Sequence, residues 1–255
     1  MSDSDELEAV GRGSSKQGVT IIEVIFAVTI FSIIVVVVMG MMNRGLFAVL
    51  SAADRGGARD ELSAQADALR FIHDGWAAER ENAAVTWQFN ALWSEITRSD
   101  RVLASAEGLG NPADCNPNAA PPPQAFVLNT RRLIIGPYGV GGIPTWAAIR
   151  DEVVIRPNNV PWTTPPPLHP RIIYTIPGVA DDSEAAIQEA QEFDRVAMVE
   201  GVWVVAVRST HSVPGSGGQA EFFDFHIRTC WNPAGQSTPD NASTIVRLYN
   251  PGVWE

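Results

Sequence analysis

From Val19 to Met42 the chain reads VTIIEVIFAVTIFSIIVVVVMGMM, 24 residues with Glu23 as the one charged member. As a helix this run spans roughly 36 Å, enough to cross a hydrocarbon core of about 30 Å. The alternative is a buried helix of a soluble core, which an apolar run this long with no polar face disfavours. Beyond Met42 the pattern becomes amphipathic. Leu62, Ala66, Leu69, Ile72 and Trp76 recur at spacings of three and four, and predict a helical spine with one apolar stripe. Val85, Phe89, Leu92, Trp93 and Ile96 form a second stripe, which predicts another helix ending near Gly108. Gly40, Gly45 and the Gly56-Gly57 pair interrupt the long helix, each weakening it by about 1 kcal/mol relative to Ala. They read either as ordinary flexibility and close packing, or as points of melting and bending that let helices pack together.

Past Pro112 the period shortens, and six strand candidates follow: Ala125–Ile135, Glu152–Arg156, Arg171–Ile176, Gly201–Arg208, Glu221–Cys230 and Ser243–Tyr249. In Glu221–Cys230 the residues Phe223, Phe225 and Ile227 alternate with Asp224, His226 and Arg228, as on a half-buried strand. Val202–Val207 is apolar throughout and predicts a central strand. The Pro-rich pieces Pro121–Pro123 and Trp162–Pro170 read as stiff connecting loops. The expected fold is therefore α+β: a long N-terminal helix, transmembrane in its first half, followed by a mainly antiparallel β-sheet head. By region this gives 1–18 as a leader, 19–42 as the membrane half of the helix, 43–110 as spine and second helix, and 111–255 as the β-rich head.

Composition sharpens this division. All 18 prolines lie at or beyond Pro112, so the helix-breaking residue is absent from the helical half. The chain has 255 residues, 45% hydrophobic and 18% charged, which excludes a wholly disordered protein. Its formal charge of −11 argues against bulk nucleic-acid binding, because phosphate backbones are held by clustered cations. Lys16 is the only lysine, every other basic residue being arginine. Arg12 and Lys16 precede the apolar run while Arg44, Arg55 and Arg59 follow it, so flanking charge does not fix its orientation. The run exceeds a secretory h-region, and no A-x-A-like site follows it.

The polar residues at the start of the run carry the most information. Ser14-Ser15-Lys16-Gln17-Gly18 leads directly into Val19-Thr20-Ile21-Ile22-Glu23. A carboxylate inside a bilayer costs about 3 kcal/mol or more, so an intramembrane Glu calls for a partner. A cut after Gly18 creates an α-amino cation at Val19, one helical turn from Glu23. That amine, or the same amine of a neighbouring subunit, neutralises the charge.

Gly18 before a hydrophobic stretch with Glu as its fifth residue resembles the type IV prepilin leader and cleavage-methylation motif. Type IV pilins, type II secretion pseudopilins and competence pseudopilins share it, and the resemblance covers about residues 14–50. Val19 stands where phenylalanine is commonest in that family. The leader is longer than many and carries Asp3, Asp5, Glu6 and Glu8, features that argue against an abundant major pilin. The resemblance implies a cytoplasmic leader, Met1–Gly18, removed by a membrane-embedded aspartic prepilin peptidase that also N-methylates Val19. It implies a precursor held in the cytoplasmic membrane by a single pass, with its C-terminal head outside. The subunit then enters an extracellular or periplasmic filament through its N-terminal helix, with Glu23 pairing to the Val19 amine of an adjacent subunit. The expected partners are other pilin or pseudopilin subunits, the prepilin peptidase, the pilus assembly platform, and the lipid bilayer before assembly. A large, strand-rich head resembles the larger minor subunits.

Outside the membrane, an oxidising compartment favours a disulfide between Cys115 and Cys230; the alternative is two free buried thiols. Asp181–Asp194 carries six acidic residues without the spacing of an EF-hand, and reads as a solvated short helix rather than a calcium site. Asn241-Ala242-Ser243 is a glycosylation sequon of low specificity. His73, His169, His211 and His226 show no metal-ligand spacing, and Pro214-Gly215-Ser216-Gly217-Gly218 reads as a hairpin turn rather than a nucleophile loop. No catalytic residue, cofactor site or metal site is expected. With the leader removed the chain holds no lysine, which excludes Schiff-base chemistry on lysine and lysine isopeptide links. The competing expectation from another class is a single-pass anchored adhesin or receptor domain that does not polymerise.

Overall fold

The computed structural model describes residues 20–81, 88–109, 115, 121–135, 153–158, 160–162, 167, 169–174, 196–212, 219–233, 236 and 238–250. It is an α+β protein, with a long N-terminal helix followed by a head of antiparallel sheets. Helix α1 is Ile21–Glu81, and the chain divides into two units between Leu46 and Phe47, within it. In the first unit the helix is apolar and exposed, with Ile21 at 79% and Met41 at 68%.

The second unit is built on the rest of α1. Its first buried residue is Asp54, and from there Ala58, Leu62, Ala66, Leu69, Ile72 and Trp76 form the buried stripe that the spacing predicts. Helix α2, Gln88–Ile96, adds Leu92, Trp93 and Ile96 to the same core. Trp76 and Trp93 stack with centroids 4.8 Å apart. The Glu79 carboxylate accepts the backbone N–H groups of Phe89 (3.0 Å) and Asn90 (2.9 Å), so a residue of α1 caps the first turn of α2. α2 ends at Ile96, twelve residues before the expected Gly108, and a 3₁₀ turn follows at Ala106–Leu109. Arg156 reaches the end of α2 and donates to the Glu95 carbonyl. Just beyond, Arg98 and Asp100 pair side chain to side chain across a tight turn.

The main sheet has the order β5-β6-β7, from strands β5 (Val202–Ser212), β6 (Gln219–Trp231) and β7 (Asp240–Tyr249), antiparallel throughout. Val204, Ala206, Phe223, Phe225, Ile227, Val246 and Leu248 face the α1 and α2 core. Two small antiparallel sheets complete the head: β1 (Val127–Leu128) with β2 (Val154–Ile155), and β3 (Arg171–Tyr174) with β4 (Val196–Glu200).

Three strand expectations are corrected. β5 is the outer named strand of its sheet, with β6 at the centre, and its other edge is covered by isolated backbone pairs, Phe126 with Val204 and Leu103 with Val207. Its continuous apolar run reflects burial on both faces, because Val205 and Val207 pack under Leu109 and Ala125 on the side away from α1. Ala125–Ile135 is not one strand; β1 stops at Leu128, and helix α3 runs over Thr130–Ile135. The backbone N–H and C=O of Leu128 are both taken by the Gln65 amide, at 2.8 and 2.9 Å, and the Asn129 carbonyl accepts the Leu133 N–H that opens the helix. β4 lies where no strand was expected. It is separated from β5 only by Gly201, which has φ +61°, and a Cβ there would meet the Cys230 carbonyl at 2.1 Å. A residue other than glycine has neither the conformation nor the space.

On β6, Phe223, Phe225 and Ile227 are buried as expected. Arg228 is buried as well, donating to the Leu109 carbonyl at 2.9 Å, so the alternation ends there. Cys115 and Cys230 form a disulfide, with Cα atoms 5.7 Å apart across a separation of 115 residues.

Candidate functional site

The features with functional content cluster at the start of α1 and where the helix first meets the head. Gly18 and Val19, the expected cleavage and methylation positions, lie outside the described residues, as do Met1–Gly18 and Asp181–Asp194. Glu23 sits exposed in the first turn of α1. Its backbone N–H donates to the Thr20 carbonyl (2.9 Å) and lies 3.4 Å from Thr20 Oγ1. Thr20 thus occupies the N-cap and Glu23 the third helical position, the spacing of a capping box. Sequence reasoning missed this role; the Thr-x-x-Glu pattern ahead of an apolar run was its signal. A carboxylate at a helix N-terminus also opposes the positive end of the helix dipole.

Further along, Thr29 Oγ1 donates to the Ile25 carbonyl (2.8 Å) and Ser32 Oγ to the Val28 carbonyl (2.7 Å). These hydroxyls satisfy themselves within the helix, which suits a medium without water. Among the described residues, α1 is the one helix long and apolar enough to cross a membrane, and none of its most apolar stretch is buried. This is compatible with a single-pass anchor. Exposure continues past Arg44 through Leu46, Phe47, Val49 and Leu50.

Gly40, Gly45, Gly56 and Gly57 all lie within α1, and a Cβ at any of them meets nothing within 4 Å. Close packing inside the chain therefore does not account for them. Gly75 is different, since a Cβ there falls 2.5 Å from the Phe89 ring.

At the head, Arg55 Nε pairs with Asp240 Oδ2 at 3.0 Å and Asp54 Oδ1 with His169 Nδ1 at 2.6 Å. Eighteen residues on, His73 Nε2 contacts the Tyr249 carbonyl at 2.8 Å. That helical interval is roughly 27 Å long, and the nine steps from Asp240 to Tyr249 roughly 30 Å. α1 and β7 therefore run side by side in the same direction, joined near both ends of the strand. The disulfide lies at the same end as Asp240, with Cys115 Sγ 3.5 Å from the Asp240 carbonyl oxygen. Asn241 of the sequon is half-buried on β7, its N–H bound to Asp240 Oδ1.

His73, His169 and His226 occupy three separate places: α1 against Trp93, the segment before β3, and the middle of β6. Burial and the Arg228 charge hold the His226 imidazole below the ordinary histidine value, opposed by Asp224. Glu95 gathers Arg98, Arg101 and Arg156, and desolvation with the neighbouring cations lowers Arg156 to about 10. This group holds the end of α2 in place. Among the described residues no three His, Cys, Asp or Glu side chains converge as a metal site. No protein-family model, curated protein or solved structure matches this chain.

Proposed function

We propose that this chain is a minor pilin or pseudopilin, a structural subunit of a type IV pilus, competence or type II secretion-like filament. The observation that carries this reading is Gly18 placed directly before the apolar run Val19–Met42, whose fifth residue from the cut, Glu23, is its one charged group. The continuous course of α1 and its exposed apolar surface support it. So do the inward-bonded hydroxyls of Thr29 and Ser32, which leave Glu23 as the polar group in need of a partner in lipid.

In this reading prepilin peptidase removes Met1–Gly18 and methylates Val19. The helix holds the subunit in the cytoplasmic membrane, and Glu23 pairs with the Val19 amine of a neighbour as the filament grows. The head is carried outside and performs no reaction of its own. Its work is packing and presentation.

The test is the N-terminal mass of the protein recovered from host membranes and from sheared surface material. A chain beginning at N-methylated Val19 in the sheared fraction is the expected result. An unprocessed chain confined to membranes, in a host with active peptidase, overturns the proposal and favours an anchored adhesin or receptor. Glu23→Gln is expected to be cleaved normally and to enter filaments at least tenfold less, a loss equivalent to about 1.4 kcal/mol of partner interaction.

A further inference from the structure

Arg156 and Arg228 are the buried arginines among the described residues, and they differ in their partners. Arg156 lies against the Glu95 carboxylate at 3.5 Å. Arg228 is 8% exposed and donates to a neutral group, the Leu109 carbonyl, at 2.9 Å. No carboxylate among the described residues pairs with it, although the chain holds 29 acidic residues to 18 lysines and arginines. A guanidinium carries five N–H donors and keeps its charge in proteins, so burying one without a counter-charge is costly. Desolvation alone holds Arg228 below the ordinary arginine value.

The sheet shows what surrounds this cation. Side chains alternate along β6, so Arg228 shares a face with His226 and Asp224, opposite the face that Phe223, Phe225 and Ile227 turn to the α1 core. In register, Arg228 stands between Trp203 on β5 and Ser243 on β7. On the β5 side, Trp203 packs with Leu109, Ala125, Val205 and Val207, which makes an apolar wall. The β7 side is open, since Ser243 is exposed. Asp224 is committed elsewhere, holding Arg247 through both carboxylate oxygens at 2.7 and 2.8 Å. His226 is half-buried, and burial together with the Arg228 charge favours its neutral form. A neutral imidazole still offers one N–H and adds no second charge.

We propose that Arg228, with Ser243 and His226 beside it, forms a carboxylate-binding site on the outer face of the main sheet. The planar guanidinium suits the two oxygens of a carboxylate. One fixed positive charge matches a monoanion. The Ser243 side chain starts roughly 5 Å from that of Arg228 across the strand pair, close enough to supply a further donor. The carboxylate comes either from a small molecule or from an acidic side chain of a second copy of this chain. The inference stands whether the chain polymerises or remains a solitary anchored protein.

The experiment is a titration of the full-length, isotope-labelled protein in detergent micelles, following the arginine Nε–H and histidine ring signals by NMR. Sodium acetate replaces sodium chloride at constant total salt. The Arg228 and His226 signals are expected to move together and saturate, with half-saturation at about 10–100 mM, the range that one charge-assisted contact gives. Arg247, already held by Asp224, serves as the reference and is expected to stay still. Arg228→Gln is expected to weaken the His226 response by about tenfold or more. Ser243→Ala, a change at an exposed position, is expected to weaken it several-fold. If a second copy supplies the carboxylate, the Arg228 signal also moves on dilution of the protein, and acetate separates the copies; a small-molecule site responds alike at every protein concentration. An Arg228 signal that moves neither with acetate nor on dilution overturns the proposal, as does an acetate response that survives Arg228→Gln. Inorganic phosphate that saturates the site about tenfold more tightly than acetate overturns the assignment to carboxylates.

Discussion

Glu61 and Gln65 stand on successive turns of α1 and divide one polar task. Gln65 is fully buried and spends its amide on both backbone groups of Leu128, while its nitrogen also reaches Glu61 Oε1 at 3.2 Å. Burial raises the Glu61 carboxyl above the usual range, and the Gln65 hydrogen bond lowers it by less. The folded state therefore holds the Glu61 proton to higher pH than the unfolded chain does. Its contribution to stability is fully present below the unfolded value and is lost as pH rises through the folded one. Glu61→Gln keeps an oxygen for Gln65 and removes the titration. Urea unfolding is expected to show this variant more stable than the parent at pH 7, with the gap closing toward pH 4. A gap that widens on acidification contradicts the assignment.

At the scale of elements, glycine has two opposite meanings in one helix. Gly75 makes room for the Phe89 ring, whereas Gly40, Gly45, Gly56 and Gly57 make room for nothing within the chain. Gly75→Ala is expected to destabilise the head by about 1–3 kcal/mol, because the ring carbons at 2.5 Å are not a flexible tip that can swing aside. Thermal or urea unfolding checks this, and a neutral result means that α2 shifts freely. The α1 stripe from Leu62 to Trp76 and the three long strands were legible in the sequence because each repeats its own period over many residues. What misled the reading was tertiary. β5 looks central because Leu109 and Ala125, far away in sequence, cover its second face, and Leu128, where β1 ends, gives both backbone groups to a glutamine 63 residues earlier. β4 escaped notice because Gly201, here a left-handed break between two sheets, reads in sequence as the start of one strand. The Asp54–His169 contact was equally invisible, since neither residue belongs to a motif and 115 positions separate them.

For the whole molecule, the disulfide is the long-range tie. It closes a loop of more than a hundred residues, for which chain entropy alone predicts about 4–5 kcal/mol and practice about 2–5. Cys115→Ser/Cys230→Ser is expected to lose that much stability by urea titration. A loss under about 1 kcal/mol makes the bridge incidental to the head. The side-by-side course of α1 and β7 carries a mechanical consequence. Tension applied along the helix axis runs parallel to the strand, so Arg55–Asp240, the buried stripe and His73–Tyr249 are strained together rather than one after another. A joint loaded in shear shares force among its contacts, whereas one that peels fails bond by bond. Within this unit the seam between α1 and β7 therefore resists sliding as a whole.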